Sequence, residues 1–361
     1  MRERVVVAGA GIIGSIIVRQ ILAERPGLEI IVIDRDLVGS GASRRSAGLH
    51  FPAGRTERVR AMAEMSERYY QALAARDPSL PIYPVAMHAV AFGAAAEAAW
   101  CNFVKAGPIE TSLARRRAAM GQPCGASVWS VPGCHYTDVA TLAGRLVRDY
   151  RSTISLLEGV AVASIEEETG AAVLVLSTGE TLRADRLVLA PGPWVNAPAW
   201  HALVAPLGIR VKKIVALHLD APVDKADAAV LFPEEDAFLL PLQHRGHWLF
   251  SYTCLDWDVD PDAPQPGVNR RNLDEAQAVL RRYAPELVER LRSGRVFCDA
   301  YSPCREPIVA TVGTSGRIIF AGAANGSGYR LAPAIAAETL QLLDDRSPGP
   351  RNARYENHNL G

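Results

Sequence analysis

The chain carries no excess charge of either sign: 39 Lys and Arg balance 39 Asp and Glu. A balanced surface sets up no long-range field, so neither nucleic acid nor an anionic membrane surface is expected as a partner. No apolar run approaches the length needed to span a bilayer. The opening Met1-Arg2-Glu3-Arg4 runs straight into Val5-Val6-Val7, without the apolar core or cleavage site of a secretory signal. The six cysteines, at 101, 124, 134, 254, 298 and 304, include no Cys-x-x-Cys pair and no histidine at zinc-finger spacing. They read as reduced thiols, mostly core filler, so a cytoplasmic protein without a metal is expected. Lysine is nearly missing, confined to 105, 212, 213 and 225, which leaves 35 arginines. With heavy alanine usage, that bias reflects a GC-rich coding sequence and no particular chemistry.

What is present is an ordinary globular composition. The 361 residues are 49% hydrophobic, enough for a large core and about two domains. A short apolar run over 4–8 meets Gly9-Ala10-Gly11-Ile12-Ile13-Gly14, and apolar residues then recur at helical spacing until Arg25-Pro26-Gly27. A second buried strand, Glu29–Asp34, follows. This strand–turn–helix–strand unit opens a parallel α/β sheet. Further along, 57–76 and 137–150 read as helices, the second capped by Thr137 or Asp138. Strands are expected at 160–165, 171–177 and 181–189, then at 210–219, 237–242 and 247–253. A helix is expected over 272–292. The strand 317–321 leads through a Gly-rich turn to a helix from about 332 to 344, and then to a polar tail.

The three glycines form G-x-G-x-x-G. The first allows the tight turn, the second lets backbone approach a pyrophosphate, and the third lets helix pack on strand. The helix N-terminus adds free amides and a positive dipole. Asp34 lies twenty residues past Gly14, where an acid accepts ribose hydroxyls and repels a 2′-phosphate. The ligand is therefore FAD or NAD. Beyond Arg35, the stretch Gly39-Ser40-Gly41-Ala42-Ser43-Arg44-Arg45-Ser46-Ala47-Gly48-Leu49-His50 offers hydroxyls and clustered amides for a second set of phosphate contacts and a flat ring. Leu187–Trp194 runs from a buried strand into the turn Ala190-Pro191-Gly192-Pro193-Trp194. Gly322-Ala323-Ala324-Asn325-Gly326-Ser327-Gly328-Tyr329-Arg330 again sets small residues before a helix N-terminus. These later segments favour FAD, because an NAD dehydrogenase gives them no purpose.

Taken in order, the motifs resemble the D-amino-acid oxidase/glycine oxidase-like FAD oxidoreductases, which include sarcosine oxidases and D-amino-acid dehydrogenases. The resemblance spans essentially the whole chain. It implies that Gly9–Gly14, Asp34 and Arg35 face the dinucleotide, with Ser40, Ser43, Arg44, Ser46, Ala47, Gly48 and Leu49 at the pyrophosphate and flavin. Val162 is placed to meet adenine by its backbone. Ala190, Gly192 and Trp194 form the A-x-G-x-W turn, and Gly322 with Asn325–Arg330 lies over the flavin pyrimidine. Ser327 stands where many members have histidine, and Arg305–Gly313 departs from the family's R-P-x-x-x-D-G-x-P-x-I-G stretch. The implied architecture is α/β with an α+β insert. A Rossmann-type FAD-binding domain (1–75, 135–205, 305–345) combines with an antiparallel-sheet substrate domain (76–134, 206–304), followed by a tail over 346–361.

The implied reaction is FAD-dependent oxidation of an amine or amino acid C–N bond by hydride transfer to flavin N5, with oxygen or another carrier taking the electrons. Arg305, from its place in the family pattern, and Arg330, just past the flavin-covering turn, are the expected carboxylate clamps. His50 reads either as a group that polarises the flavin or takes a proton, or as a hydrogen-bonded core histidine. Tyr329 and Tyr252 reach substrate by hydroxyl or pack inside the roof. Some relatives attach flavin to a cysteine near Cys304, but the shorter spacing to Gly328 argues for non-covalent FAD. Neither Lys212 nor Lys213 falls where a relative's oxygen-activating lysine is expected, so oxidase and dehydrogenase both stay open. The rival readings are an FAD hydroxylase or another flavoenzyme on a non-amino-acid substrate, and a family member that has lost turnover.

Overall fold

The computed structural model describes residues 2–108, 125–263 and 267–345; Cys124 and the polar tail over 346–361 lie outside them. The first glycine-bounded strand, Arg4–Ala8, sits in the middle of a six-stranded sheet. Glu29–Asp34 and Ile154–Glu158 pair in parallel on one side of it, Arg186–Leu189 and Ile318–Gly322 on the other. Ile308–Val312 closes the edge antiparallel. These central strands are unbroken apolar runs because both faces are covered. Helix Ile12–Glu24 packs on one face with the terminal helix Gly328–Asp344 and helix Val139–Arg148, around Ile16, Ile17, Ile21, Leu142 and Ile335. The other face packs on a three-stranded antiparallel sheet, Val162–Glu168, Ala171–Leu176 and Thr181–Ala184.

A second large sheet has eight strands in the order Leu291–Tyr301, Arg210–Leu219, His247–Trp257, Ala237–Leu242, Ala229–Phe232, Met87–Phe92, Ala126–Ser130 and Gly107–Pro108. All its pairings are antiparallel except that of Ala229–Phe232 with Met87–Phe92. Its outer face carries helix Arg270–Tyr283 against Val215, Phe250 and Tyr252. The fold is thus mixed α/β, with a largely parallel sheet and separate sheets dominated by antiparallel pairs. Among the described residues no helix is long and apolar enough to cross a membrane.

Three expectations are corrected. The helix over 272–292 ends at Tyr283, where Ala284-Pro285 breaks it, and Leu291 opens a long strand instead. The strand over 181–189 is split at Asp185, so its halves belong to different sheets. The last helix starts at Gly328, with Pro333 inside it. Proline removes the amide that would bond the carbonyl four residues back, which is that of Tyr329. The hydroxyl of Tyr70 donates to this carbonyl at 2.7 Å, inside the core. Tyr70→Phe is therefore expected to cost about 1–2 kcal/mol, the penalty for a buried acceptor left without a donor. Thermal unfolding checks this, and an unchanged midpoint would refute it.

Candidate active site

Gly9 follows the first strand with φ 106°, and a Cβ there would lie 2.2 Å from the Ala190 carbonyl oxygen. The turn after Leu189 therefore packs directly on the glycine loop. A Cβ on Gly14 would lie 1.9 Å from the Gly9 oxygen. Gly11 differs: its added Cβ meets just the Ser43 hydroxyl oxygen at 3.3 Å. Ala10 and Ile12 are buried, and Ile13 is partly so. The Ser43 hydroxyl accepts from the Ile12 amide at 3.0 Å, joining the segment after Asp34 to the helix N-terminus. Asp34 accepts from the amides of Ala10 at 2.7 Å and Asp36 at 2.9 Å. Burial lifts its pKa above the usual carboxylate value, against those two hydrogen bonds.

Arg35 lies over the Trp194 ring at 4.4 Å and forms a forked pair with Asp262, which also accepts from Trp194 Nε1 at 2.7 Å. Asp262 comes from the second sheet's loop, a partner that sequence alone did not offer. Gly41 sits under the same indole, where a Cβ would come 3.0 Å from the ring. Gly192, in the turn before that tryptophan, has φ 58°. Ser40 donates to the Leu37 carbonyl at 2.7 Å, and the Ser46 hydroxyl accepts from the Gly48 amide at 3.1 Å. Arg44 is exposed on a one-turn helix. Val162 begins its strand opposite Leu176. Gly322 ends the strand Ile318–Gly322, where it pairs with Ile308 of the edge strand. Asn325, with φ 54°, takes the Ser302 amide on its side-chain oxygen at 3.1 Å. Gly328 opens the last helix with no heavy atom within 4 Å of an added Cβ.

Ser46–Leu49 and Asn325–Ser327 form one wall of a cavity of about 790 Å³, and the eight-stranded sheet forms the other. Of the expected catalytic residues, Arg305, Arg330, Tyr329 and Tyr252 border it, and His50 does not. Arg305 is exposed at the rim with φ 60°. The Arg330 guanidinium donates to the carbonyls of Phe51 and Ala53 and, at 2.7 Å, to the Ser327 hydroxyl. Burial pushes its pKa down to about 10, with Asp236 opposing the shift. His50 is fully buried, its ring stacked on His135 at 4.7 Å. Burial, then His135 and Arg330, hold it well below the usual imidazole range, so it is neutral. Tyr329 places its hydroxyl 2.8 Å from His135 Nε2, within the same buried cluster. Tyr252 lies on the outward face of its strand, and its hydroxyl reaches the Asn272 carbonyl and Glu275, each at 2.9 Å. Cys304 is exposed, with its sulfur 3.4 Å from the Ser302 hydroxyl.

The roof contributes groups that sequence reasoning did not assign. Strand alternation turns Lys212, Ile214, Ser251, Thr253, Phe297, Asp299 and Tyr301 toward the cavity. Lys213, one residue on, faces outward to Asn272 and Asp256. The Lys212 ammonium lies over the rings of Trp257 at 4.7 Å and Tyr301 at 5.5 Å. The signal for Asp299 was the period-two run Phe297, Asp299, Tyr301, which lies past the expected helix over 272–292 and was not read as a strand.

The open space beside Gly11, the anchored Asp34 carboxylate and the cavity walled by Ser46–Leu49 fit a dinucleotide that ends in a flat ring. Comparison with known proteins agrees. The family model described as FAD dependent oxidoreductase matches residues 4–342. A glycine oxidase of Pseudomonas aeruginosa is 26% identical, over 96% of each chain. The glycine oxidase structure of Geobacillus kaustophilus superposes with a TM-score of 0.77 at 16% identity, over 95% of each chain. An L-proline dehydrogenase structure from P. horikoshii gives 0.77 at 18% identity, over 95% of this chain and 93% of the other. These two share the fold. The chain belongs to the FAD-dependent oxidoreductase family of D-amino-acid oxidase type.

Proposed function

We propose that the protein oxidises the C–N bond of an amine or amino acid to an imine. The observation that carries this reading is the cavity, which sets Ser46–Leu49 and Asn325–Ser327 opposite a roof with cationic groups at its edges. Bound FAD supplies the acceptor for the substrate hydride, and oxygen or another carrier takes the electrons on. Gly9–Gly14 and Asp34 would hold the dinucleotide half, and Ser46–Leu49 with Asn325–Arg330 the flavin half. Arg305 and Arg330 receive the substrate carboxylate. Arg330, already tethered on one side, offers its remaining N–H groups in a fixed orientation.

The division into a cofactor domain (1–75, 135–205, 305–345) and a substrate domain (76–134, 206–304) is part of this proposal. In its support, every strand of the six-stranded sheet falls in the first set and every strand of the eight-stranded sheet in the second. The test is product analysis with an artificial electron-accepting dye. Glycine, sarcosine, proline and D-amino acids are compared with the matching hydroxy acids. Dye reduction by an amine, with ammonia or an amine hydrolysis product in equal amount, is expected. Reduction by hydroxy acids alone would overturn the reading.

A further inference from the structure

We propose that Asp299 is the anchor for the substrate's ammonium group, and that the cavity selects α-amino acids with an aromatic or similarly large apolar side chain. The inference deepens the amine-oxidation reading and rests on it.

Asp299 lies on the cavity face of strand Leu291–Tyr301, directly opposite Lys212 in the antiparallel register. Cross-strand neighbours are close enough for an ion pair, yet the Lys212 ammonium turns to Trp257 and Tyr301 instead. Among the described residues neither a hydrogen bond nor an ion pair reaches the Asp299 carboxylate, and burial alone lifts its pKa to about 7. Lys212 and Arg210 flank it on the neighbouring strand, Tyr301 follows on its own, and Arg330 stands on the other wall with Asp236 at the lip. A recessed carboxylate without a partner is costly, and a bound cation removes that cost.

The rest of the lining says which cation. Arg305 and Arg330 call for an anionic group on the same ligand, so a simple amine leaves them unanswered and a simple acid leaves Asp299 unanswered. A zwitterion answers both. Phe51, Phe103, Phe238, Phe297 and Trp257 line the remaining volume, far more apolar surface than a glycine covers.

The test is calorimetric binding to the FAD-loaded protein, with no turnover. The probes are α-methylphenylalanine, which has no Cα hydrogen to lose, and 2-methyl-3-phenylpropionate, the same acid without the amine. Asp299→Asn should weaken the amino acid by about tenfold or more, the loss of a charge-assisted hydrogen bond. The same variant should bind the desamino acid more tightly, because it removes a like charge. In the unaltered protein the desamino acid should bind less well as pH rises from about 6 to about 8 and Asp299 ionises; in Asp299→Asn that trend should vanish. Opposite shifts for the two probes are beyond what a damaged pocket produces.

Should both probes weaken together, Asp299→Glu decides. A restored preference for the amino acid supports the anchor, and no restoration overturns it. Unchanged affinities in Asp299→Asn, or no binding of the amino acid to the unaltered protein, also overturn it. If the probes behave as expected while no amine reduces the flavin, the anchor stands and the oxidation reading fails.

Discussion

Gly9→Ala should yield a protein that is destabilised by about 3 kcal/mol or more and retains little FAD, as expected when a strained φ adds to a backbone collision. At φ 106° a side chain is strained before any contact is counted, and the added Cβ would stand 2.2 Å from the Ala190 oxygen. Neither partner can step aside cheaply. The Ala190 amide is bonded to the Ala8 carbonyl at 2.8 Å, and the Gly9 amide to the Ile33 carbonyl at 2.8 Å. Relief has to separate the central strand from a neighbour.

Gly11→Ala is the control that gives the result meaning. Its Cβ meets only the Ser43 hydroxyl oxygen, at 3.3 Å, and its φ is not left-handed. That variant should fold with near-native stability and still bind FAD about tenfold or more weakly, because the methyl occupies space that the second glycine keeps clear. Urea unfolding and FAD titration of the two variants separate the effects. Equal stability losses in both, or none in Gly9→Ala, would contradict the account of this loop.

The second large effect concerns Arg58. Its Nε and Nη2 bond both oxygens of Glu338, at 3.1 and 2.6 Å, and its Nη1 reaches Glu306 and the Pro307 carbonyl, each at 3.0 Å. The Glu338 side chain is only 1% exposed. Arg58→Met should cost about 3–5 kcal/mol, the usual result of stranding one member of a buried pair. Burial already lifts the Glu338 pKa above the usual range, with Arg58 pulling it back. Removing Arg58 lifts it further.

A carboxyl whose pKa is raised by folding favours the folded state below its unfolded pKa, and that advantage disappears as pH rises through the folded value. The stability of Arg58→Met should therefore fall from about pH 4.5 upward more steeply than that of the parent. Adding Glu338→Gln should flatten the profile. Urea midpoints across pH test both slopes. Because Glu306 adjoins Arg305, the variant should also loosen the cavity rim.

The parts legible in the sequence are those where backbone chemistry is local. Gly14 is held by Gly9 within the loop itself, while Gly9 packs on Ala190 and Gly11 faces Ser43, both from distant segments, so what was legible was the spacing of the three behind a buried strand. Asp34 was legible for the same reason, at the end of the strand that the loop abuts. Asp299 was not, because Arg290–Arg295 is polar and holds Gly294, which masks a strand whose ladder partner is the neighbouring Arg210–Leu219. The partners of His50 and Arg35 depend on His135 and Asp262, brought in from distant segments by tertiary packing. The direction of Tyr252 was decided by which face of its sheet the helix Arg270–Tyr283 covers, and that is a choice of topology rather than of residue type.

The most direct test of the central claim is the visible spectrum of the purified, FAD-loaded protein, recorded anaerobically before and after adding D-amino acids, glycine, sarcosine and proline. The account predicts flavin absorption bands that one or more of these amines bleach. A protein that takes up no FAD, or whose bands no amine bleaches, would contradict it.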